Sequence, residues 1–409
     1  MNNYFFIAAK NNTRLTYDVL FQAVSSAGSF VSNYKTDQAD LFFVNLLKGL
    51  VRDKDIVLLD ADFTDQEIFQ MTGENYAEKV ENIDSISDLN EQSFLELLQN
   101  SKSKISIYTS GTTGLPKQVV HSVSSLIKQV KIDSKFNGNS WAFAYNPTHI
   151  AGLQVFFQAL FNFNTIVNVF NGDKRFVLEE IQNHSVTNIS ATPTFYRLLY
   201  PSEFQLDSVK RVTVGGEKST PDLYEKMQTV FPNAVIRNVY ASTEAGSVLS
   251  AKGNVFQIDE KKAAVVKIEN DILYIHQSVL GNSDSFSFEN NWYNTGDIVL
   301  WDDEQKGTFT FVSRANEMIN VGGYKINPNE VEEAIRSYPE VRQVRVYGIP
   351  NSVLGNVLTA DIELHADSVL SETDVKLKLK EKLQSFKIPR KINFVATINY
   401  SRTGKISRS

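Results

Sequence analysis

The strongest local signal in this chain is the stretch Tyr108-Thr109-Ser110-Gly111-Thr112-Thr113-Gly114-Leu115-Pro116-Lys117. It begins at the last residue of a short β-branched run, residues 105–108. It precedes residues 122–135, whose apolar residues recur at helical spacing. Its four serine and threonine residues and its two glycines let amide and hydroxyl groups converge on an anion, and Lys117 adds a positive charge. The sequence therefore predicts a phosphate-binding loop between a strand and a helix.

This loop differs from the phosphate loop of phosphotransferases. It lacks the Gly-Lys-Ser/Thr of a Walker motif, and the chain offers no clear Walker-type partner aspartate. The sequence thus argues against a P-loop phosphotransferase.

The composition excludes several other classes of protein. The chain has 409 residues, which suggests two or three domains at about 150 residues each. Its net charge of −6 argues against broad binding to nucleic acid or to anionic membranes. The absence of cysteine excludes disulfides, thiolate metal sites and cysteine nucleophiles, and the five histidines are too scattered for a histidine-rich metal site.

The apolar runs of the chain are short. None approaches the roughly 18 residues of a membrane span, and the amino terminus lacks the basic region of a signal peptide. We therefore expect a cytoplasmic protein without a membrane span.

Outward from the loop, short β-branched or aromatic runs alternate with segments of helical periodicity. This alternation predicts an α/β layer with a largely parallel sheet. The predicted strands are 105–108, 141–145, 165–170, 211–214 and 235–240. The predicted helices are 122–135, 151–161, 176–184, 193–199 and 221–230.

The pattern changes twice after residue 250. Strand follows strand at 263–268, 272–277, 298–301 and 308–312, which predicts a β-rich subdomain. Beyond Arg314 the pattern is mixed, with helices predicted at 328–337 and 371–384. The predicted fold class is α/β: a large amino-terminal domain of α/β layers with a β-rich subdomain, residues 1–314, and a small α+β carboxy-terminal domain, residues 315–409.

The decapeptide resembles the phosphate-loop signature of the adenylate-forming superfamily, which includes the acyl- and aryl-CoA ligases. Further segments resemble that family in the same order along the chain. The resemblance implies that ATP phosphates bind at Thr109, Ser110, Gly111, Thr112, Thr113, Gly114 and Lys117. It further implies a nucleotide segment at Tyr240, Ala241, Ser242, Thr243 and Glu244, in which Thr243 meets the α-phosphate and Glu244 helps to hold Mg²⁺.

Other motifs complete the resemblance to a nucleotide site. Gly215, Gly216 and Glu217 are similar to the adenine-contacting turn of the family. Asp297, in the segment Trp292-Tyr293-Asn294-Thr295-Gly296-Asp297, corresponds to the aspartate that binds the ribose hydroxyls. Arg314 stands where the ribose- and phosphate-contacting arginine would be. Arg402-Thr403-Gly404-Lys405 matches the carboxy-terminal motif of the catalytic lysine.

A second half-reaction is implied by the same resemblance. In the family, the carboxy-terminal domain is mobile, and a segment like Asn320–Ile326 swings in so that its glycines, here Gly322 and Gly323, admit a pantetheine thiol. The hinge corresponds to Asn316, where the family usually has aspartate or lysine. Asparagine tolerates unusual backbone angles, so the resemblance implies that the hinge still works. The balance between the two orientations of the carboxy-terminal domain, one for each half-reaction, is left open.

The acyl site is only partly specified by the sequence. The segment 145–153 lacks the aspartate of amino-acid-activating relatives and resembles the His-x-x-Gly segment of CoA ligases, which implies that His149 borders the carboxylate site and the thiol path. The compact length resembles the o-succinylbenzoate–CoA ligase type. Five phenylalanines either line an apolar pocket or belong to the core: Phe156, Phe157, Phe161, Phe163 and Phe195.

The resulting expectation is an AMP-forming acid–thiol ligase that uses ATP, Mg²⁺ and CoA on a small-molecule carboxylic acid. One alternative is an acyl-AMP ligase that loads the pantetheine of a carrier protein. Another is a non-catalytic nucleotide-binding descendant, which would be expected to have lost Glu244 or Lys405. The sequence leaves the acid, the pathway and the oligomeric state open.

Overall fold

A computed structural model describes residues 3–109, 117–284, 286–321, 324–351 and 355–399 of the chain. The chain forms two compact units. The first comprises Met1–Lys267, Tyr274–Asn294 and Asp303–Thr308; the second comprises Ile268–Leu273, Thr295–Asp302 and Phe309–Ser409. The second unit thus takes two short segments from before residue 314, and the predicted domain boundary at that residue stays a prediction.

The amino-terminal two thirds of the chain alternate between strands and helices. The strands are β1 Tyr4–Ala8, β2 Thr13–Thr16, β3 Gly28–Val31, β4 Asn33–Lys35, β5 Ile56–Leu59, β6 Val80–Ile83, β7 Lys104–Thr109, β8 Lys117–Ser122, β9 Ser140–Phe143, β10 Thr165–Asn168, β11 Asn188–Ala191, β12 Arg211–Gly215, β13 Val235–Ser242, β14 Gly246–Ala251 and β15 Val255–Gln257. The helices are α1 Tyr17–Ser25, α2 Ala39–Leu50, α3 Asp65–Thr72, α4 Glu91–Asn100, α5 Val123–Ile127, α6 Ile150–Leu160, α7 Lys174–Asn183, α8 Pro193–Leu198, α9 Pro221–Val230 and α10 Glu260–Ala263.

The remaining third is richer in strands. These are β16 Val266–Glu269, β17 Ile272–His276, β18 Phe288–Glu289, β19 Trp292–Asp303, β20 Thr308–Arg314, β21 Ile319–Val321, β22 Tyr324–Ile326, β23 Val341–Asn351, β24 Gly355–Leu364 and β25 Lys391–Phe394. The helices here are α11 Pro328–Arg336 and α12 Glu372–Lys380, with short 3-10 turns at Gln277–Val279, Ala315–Glu317 and Ser385–Lys387.

The largest sheet of the first unit has the strand order β14-β13-β12-β11-β9-β10-β1-β2. Its six inner strands, from β13 to β1, pair in parallel, and only the two edge strands are antiparallel to their neighbours. Parallel strands need helical crossovers, which is why α6 to α9 separate them in sequence. The predicted α/β layer with a largely parallel sheet is confirmed.

A second sheet, of order β4-β5-β7-β8, carries the predicted phosphate loop. Strands β5 and β7 are parallel, whereas β7 and β8 are antiparallel and pair Thr109 with Lys117. The prediction that a helix follows the loop directly is wrong, because strand β8 intervenes before α5. Residues 110–116 therefore connect two strands that pair with each other.

Three predicted elements differ from the structure in where they begin or end. The helix predicted at 122–135 ends at Ile127, because the main chain of Lys131 bonds instead to side-chain amides of α6 and the following turn, Gln158 and Asn162. The strand predicted at 263–268 begins only at Val266, because Asp259 caps the short helix α10 through the N–H of Lys262. Helix α12 also ends four residues before its predicted end.

The core of the first unit is rich in aromatic side chains. Phe43 of α2 stacks on Phe156 of α6, with ring centroids 4.3 Å apart and ring planes 3° from parallel. Phe5 and Phe143 meet Phe43 edge-on, and all four rings are fully buried. These contacts pack helices α2 and α6 together next to the parallel sheet.

The second unit has its own core, between α11, α12 and the sheet of β21 to β25. Strands β23 and β24 form its longest pair, and β25 lies parallel to β24. The carboxylate of Glu332 on α11 accepts a hydrogen bond from the N–H of Val346 on β23, at 2.9 Å. In the described part of both units, no helix is long and apolar enough to cross a bilayer.

Replacing Phe43 tests the aromatic packing. Phe43→Ala removes a fully buried ring and its stack on Phe156, and we expect a loss of about 3–5 kcal/mol in the free energy of unfolding. Phe69→Ala on α3 is the matched control, because half of that side chain is exposed. Urea unfolding measures both, and equal losses for the two variants would contradict this description of the core.

Candidate functional site

The segment Tyr240–Glu244 lies at the carboxyl end of β13 and in the turn to β14. Tyr240 pairs with Leu249, and a bulge follows before Ser242 pairs with Gly246. Within the turn, the hydroxyl oxygen of Ser242 accepts a hydrogen bond from the N–H of Ala245, at 3.2 Å. The predicted nucleotide segment is therefore a tight turn at the edge of the parallel sheet.

Two contacts from outside the hairpin hold this turn. His121 Nε2 lies 2.8 Å from the carbonyl oxygen of Thr243, and the N–H of Gly281 donates to the carbonyl of Glu244, at 2.7 Å. Because a carbonyl only accepts, the proton of this histidine bond is on Nε2. A Cβ on Gly281 would lie 2.7 Å from the ring of His121, so glycine is needed for this close approach.

His121 was not among the residues that the sequence predicts for the site. Its side chain is 4% exposed, and this burial lowers its pKa against the opposing effects of the Thr243 carbonyl and the Glu244 carboxylate. The lowered pKa favours the neutral imidazole, whose Nε2–H donates to the Thr243 carbonyl. No sequence signal marks this contact, since 122 residues separate its two partners.

The carboxylate of Glu244 fits a role in metal binding. It is half-buried, and it has no hydrogen bond or salt bridge to the residues that the structure describes. The same described ranges contain no cluster of three metal-binding side chains. Mg²⁺ typically binds one or two carboxylates together with substrate phosphates, so a single available carboxylate suits it.

The turn Gly215-Gly216-Glu217 follows the neighbouring strand, β12. A Cβ on Gly215 would lie 2.9 Å from the carbonyl of Val239, and Gly216 has a φ of +83°, so both positions favour glycine. The carboxylate of Glu217 accepts hydrogen bonds from the N–H and the hydroxyl of Thr194, at 3.0 and 2.7 Å. Glu217 thus joins the end of β12 to the first turn of α8.

Lys117 begins strand β8 directly after the predicted phosphate loop, and it is exposed. A cavity of about 280 Å³ lies beside it. Its lining residues are Lys117, Gln118, Val120, Asn282, Ser283 and Asp284. Val120 and Asn282 exchange two main-chain hydrogen bonds, so the wall of this cavity is continuous with the segment that holds the Glu244 turn.

In the second unit, two predicted ribose-contacting residues are brought together. Asp297 on β19 is buried, and its carboxylate lies 2.8 Å from Nε of Arg314 on β20. The hydroxyl of Thr295 accepts a hydrogen bond from the N–H of Asp297 and donates to the carbonyl of Leu273. The segment around Asp297 therefore forms part of strand β19, and the carboxylate is oriented by an arginine.

His149 precedes α6 and contacts a carboxylate that the sequence analysis did not select. Its Nε2 lies 3.4 Å from Oδ2 of Asp60, the residue that follows β5. Asn146 donates from Nδ2 to the same oxygen, at 2.9 Å, and its carbonyl accepts from the N–H of His149. A Cβ on Gly152 would lie 2.3 Å from that carbonyl, which explains the glycine of the His-x-x-Gly segment.

Several predicted site residues lie outside the described residues: Ser110, Gly111, Thr112, Thr113, Gly114, Gly322, Gly323 and Lys405. Thr109 and Asn316 are described through their backbone alone, in β7 and in the 3-10 turn Ala315–Glu317. Of the five phenylalanines, Phe156, Phe157 and Phe161 are fully buried core residues, and Phe163 and Phe195 pack against the core.

Comparisons with known proteins place this geometry in a family. The profile of the AMP-binding enzyme family matches residues 8–268, and that of its C-terminal domain matches residues 330–405. The chain is 28% identical to 4-hydroxybutyrate–CoA ligase 1 of Metallosphaera sedula over 74% of this chain and 61% of that protein. It is 27% identical to 2-succinylbenzoate–CoA ligase of Bacillus licheniformis, over 74% of this chain and 68% of that protein.

A solved structure shares the fold. The o-succinylbenzoate CoA synthetase of Bacillus subtilis, in complex with its acyl-adenylate intermediate, matches with a TM-score of 0.73 over 100% of this chain and 94% of that chain, at 21% identity. The chain spans less than two thirds of the length of the Metallosphaera relative. Since the AMP-binding profile alone matches more than half of the chain, this protein belongs to the AMP-binding enzyme family.

Proposed function

We propose that this protein activates a carboxylic acid with ATP, forming an acyl-adenylate and pyrophosphate, and then transfers the acyl group to the thiol of CoA. One observation carries the proposal. The turns that end β12 and β13 lie at one edge of a parallel sheet, and among the described residues the carboxylate of Glu244 in the second turn has no hydrogen bond or salt bridge. Nucleotides bind at this edge in open α/β sheets.

The chemistry follows from the charges of the reactants. A carboxylate is a poor electrophile, and it becomes reactive once its oxygen has attacked the α-phosphate of ATP and displaced pyrophosphate. The barrier contains the repulsion between two anions and the charge that develops on the phosphate. Lys117 and Lys405 would supply positive charge from the protein, and Glu244 would hold a Mg²⁺ ion whose charge would offset that of the phosphates.

The second half-reaction rests on the family and on the relatives. The acyl carbon of the adenylate is attacked by the sulfur of CoA, and AMP leaves with the bridging oxygen. Both relatives described above are named as CoA ligases, one for 4-hydroxybutyrate and one for 2-succinylbenzoate. These names support CoA as the acceptor and leave both aliphatic and aromatic acids as candidate substrates.

The proposed reaction is tested by incubating the protein with ATP, Mg²⁺ and a panel of aliphatic and aromatic carboxylic acids, with and without CoA. Mass spectrometry of the products should find acyl-CoA and AMP when CoA is present. Acyl-AMP that accumulates despite CoA would favour a carrier-protein thiol as acceptor. A broad panel that yields neither product would contradict the proposal.

Lys405 is expected to act in the adenylation step. Lys405→Ala should slow acyl-AMP formation by about 10²–10³-fold, comparable to the loss of one preorganised donor, while ATP binding changes only a few-fold. Lys380→Ala, at an exposed position on α12, is the control and should retain the wild-type rate. Rapid-quench assays of acyl-AMP and equilibrium ATP binding make the comparison; adenylation at a near-normal rate in Lys405→Ala would refute the assignment.

Gly323 is expected to matter only for thioester formation. Gly323→Leu adds a side chain where the resemblance implies the path of the thiol, so acyl-AMP should form at a rate near that of the wild type while acyl-CoA should not appear. Both half-reactions are measured separately, by ATP–pyrophosphate exchange and by acyl-CoA formation. An equal loss of the two would show that this glycine serves folding rather than the second step.

A further inference from the structure

We propose that Asp60 is a positioning residue of the site, whose carboxylate fixes the ring of His149 with the proton on Nε2 and leaves Nδ1 as an acceptor toward the substrates. The inference deepens the proposed function, on which its catalytic consequence rests. Its structural part, the protonation and orientation of the ring, is independent of the reaction.

Asp60 is a buried carboxylate with a small, defined set of donors. The residue is 2% exposed and follows the last residue of β5. Its Oδ1 accepts from the N–H of Asp62, at 3.1 Å, and its Oδ2 accepts from Nδ2 of Asn146, at 2.9 Å. His149 Nε2, at 3.4 Å from Oδ2, completes the set. A buried carboxylate needs such donors, because water cannot solvate it.

The surroundings of Asp60 keep it ionised. Burial acts to raise its pKa, but the contact with His149, the N–H of Asp62 and the amide of Asn146 together hold that pKa below the ordinary aspartate value. An ionised carboxylate only accepts hydrogen bonds, so the ring nitrogen that faces it carries a proton. In a neutral imidazole, Nδ1 is then the acceptor.

The backbone on the other side of His149 is equally constrained. Oδ1 of Asn146 accepts hydrogen bonds from the N–H and the hydroxyl of Thr148, at 3.0 and 2.8 Å. A flip of the Asn146 amide would break both of these bonds. The carbonyl of Asn146 accepts the N–H of His149 and leaves no space for a Cβ at residue 152. The main freedom left to His149 is rotation of its ring, and Asp60 is what restrains that rotation.

The His149 side chain does not cap helix α6, which it precedes. It stands at the N-cap position of α6 and makes no capping hydrogen bond there. Among the contacts of the described residues, Nδ1 has no hydrogen-bond partner, and 20% of the side chain is exposed. A histidine that is oriented from one side by a buried carboxylate and open on the other has the arrangement of an oriented acid–base or hydrogen-bonding group.

The Asp60–His149 contact also joins two sheets. Asp60 follows β5, in the sheet that carries the phosphate loop, and His149 follows β9, in the eight-stranded sheet. Both residues lie beyond the carboxyl ends of strands. The contact therefore fixes the ring relative to the start of the phosphate loop, which a contact within either sheet would not do.

The protonation of His149 is measured first, in the wild-type protein, by ¹⁵N NMR of the histidine rings. His149→Gln identifies its signals among the five histidines. In spectra recorded at a pH where the His149 ring is neutral, the wild-type ring should show a protonated Nε2 and an unprotonated Nδ1. In Asp60→Asn the ring should lose this single state and give averaged signals of both tautomers, while His121 in the same spectrum is unchanged. A wild-type His149 with the proton on Nδ1 would overturn the proposal.

The catalytic consequence is measured with a double-mutant cycle, using the acid of the panel that gives acyl-CoA. Asp60→Asn should lower the rate of acyl-CoA formation on the order of 10²-fold, the effect of a misplaced reacting group. In the His149→Gln background the same substitution should have little further effect, because it acts through the ring. Asp37→Asn, which changes an exposed carboxylate after the neighbouring strand β4, is the control and should retain the wild-type rate.

The outcomes separate the inference from the proposed function. An Asp60→Asn effect that persists undiminished in the His149→Gln background would show a general structural role and overturn the proposal. An equal effect of Asp37→Asn would do the same. Absence of any acyl-AMP or acyl-CoA from the wild type would refute the proposed function, while the ring spectra would still confirm or refute the positioning of His149.

Discussion

Parallel pairing of strands is the constraint on which the rest of this structure depends. Parallel strands have their carboxyl ends at the same edge of a sheet, so whatever follows them meets there. Residues 144–149 follow β9, Gly215–Glu217 ends β12, and the Glu244 turn ends β13. Segments far apart in the sequence therefore meet at one edge of the sheet.

Buried polar contacts then fix each segment at this edge. The Glu244 turn is held through its carbonyls by His121 and Gly281, the end of β12 is joined to α8 through Glu217, and Asp60 restrains His149. Each contact satisfies a group that burial would otherwise leave without a partner, so the site residues are stabilised in one arrangement. Such preorganisation is what transition-state stabilisation requires, because no reorganisation is then paid during the reaction.

The sequence predicts the parallel layer well, since the spacing of apolar residues and the turn residues are local signals. It also predicts the order of the site segments, but not the contacts that fix them. Thr243 lies 122 residues from His121, and Asn146 lies 86 residues from Asp60; a single histidine or aspartate carries no mark of such a contact. The helix predicted at 122–135 ends early for the same reason, because Gln158 and Asn162 bind the main chain of Lys131 from another part of the chain.

In the proposed reaction, a carboxylate oxygen attacks the α-phosphate of ATP at this edge. This attack is tested with acids of the panel carrying ¹⁸O in both carboxyl oxygens, in the presence of ATP, Mg²⁺ and CoA. Because the attacking oxygen stays on phosphorus when the thiol displaces AMP, mass spectrometry should find one labelled oxygen in AMP and none in pyrophosphate. Label in inorganic phosphate with formation of ADP would contradict the account, since it would show attack on the γ-phosphate.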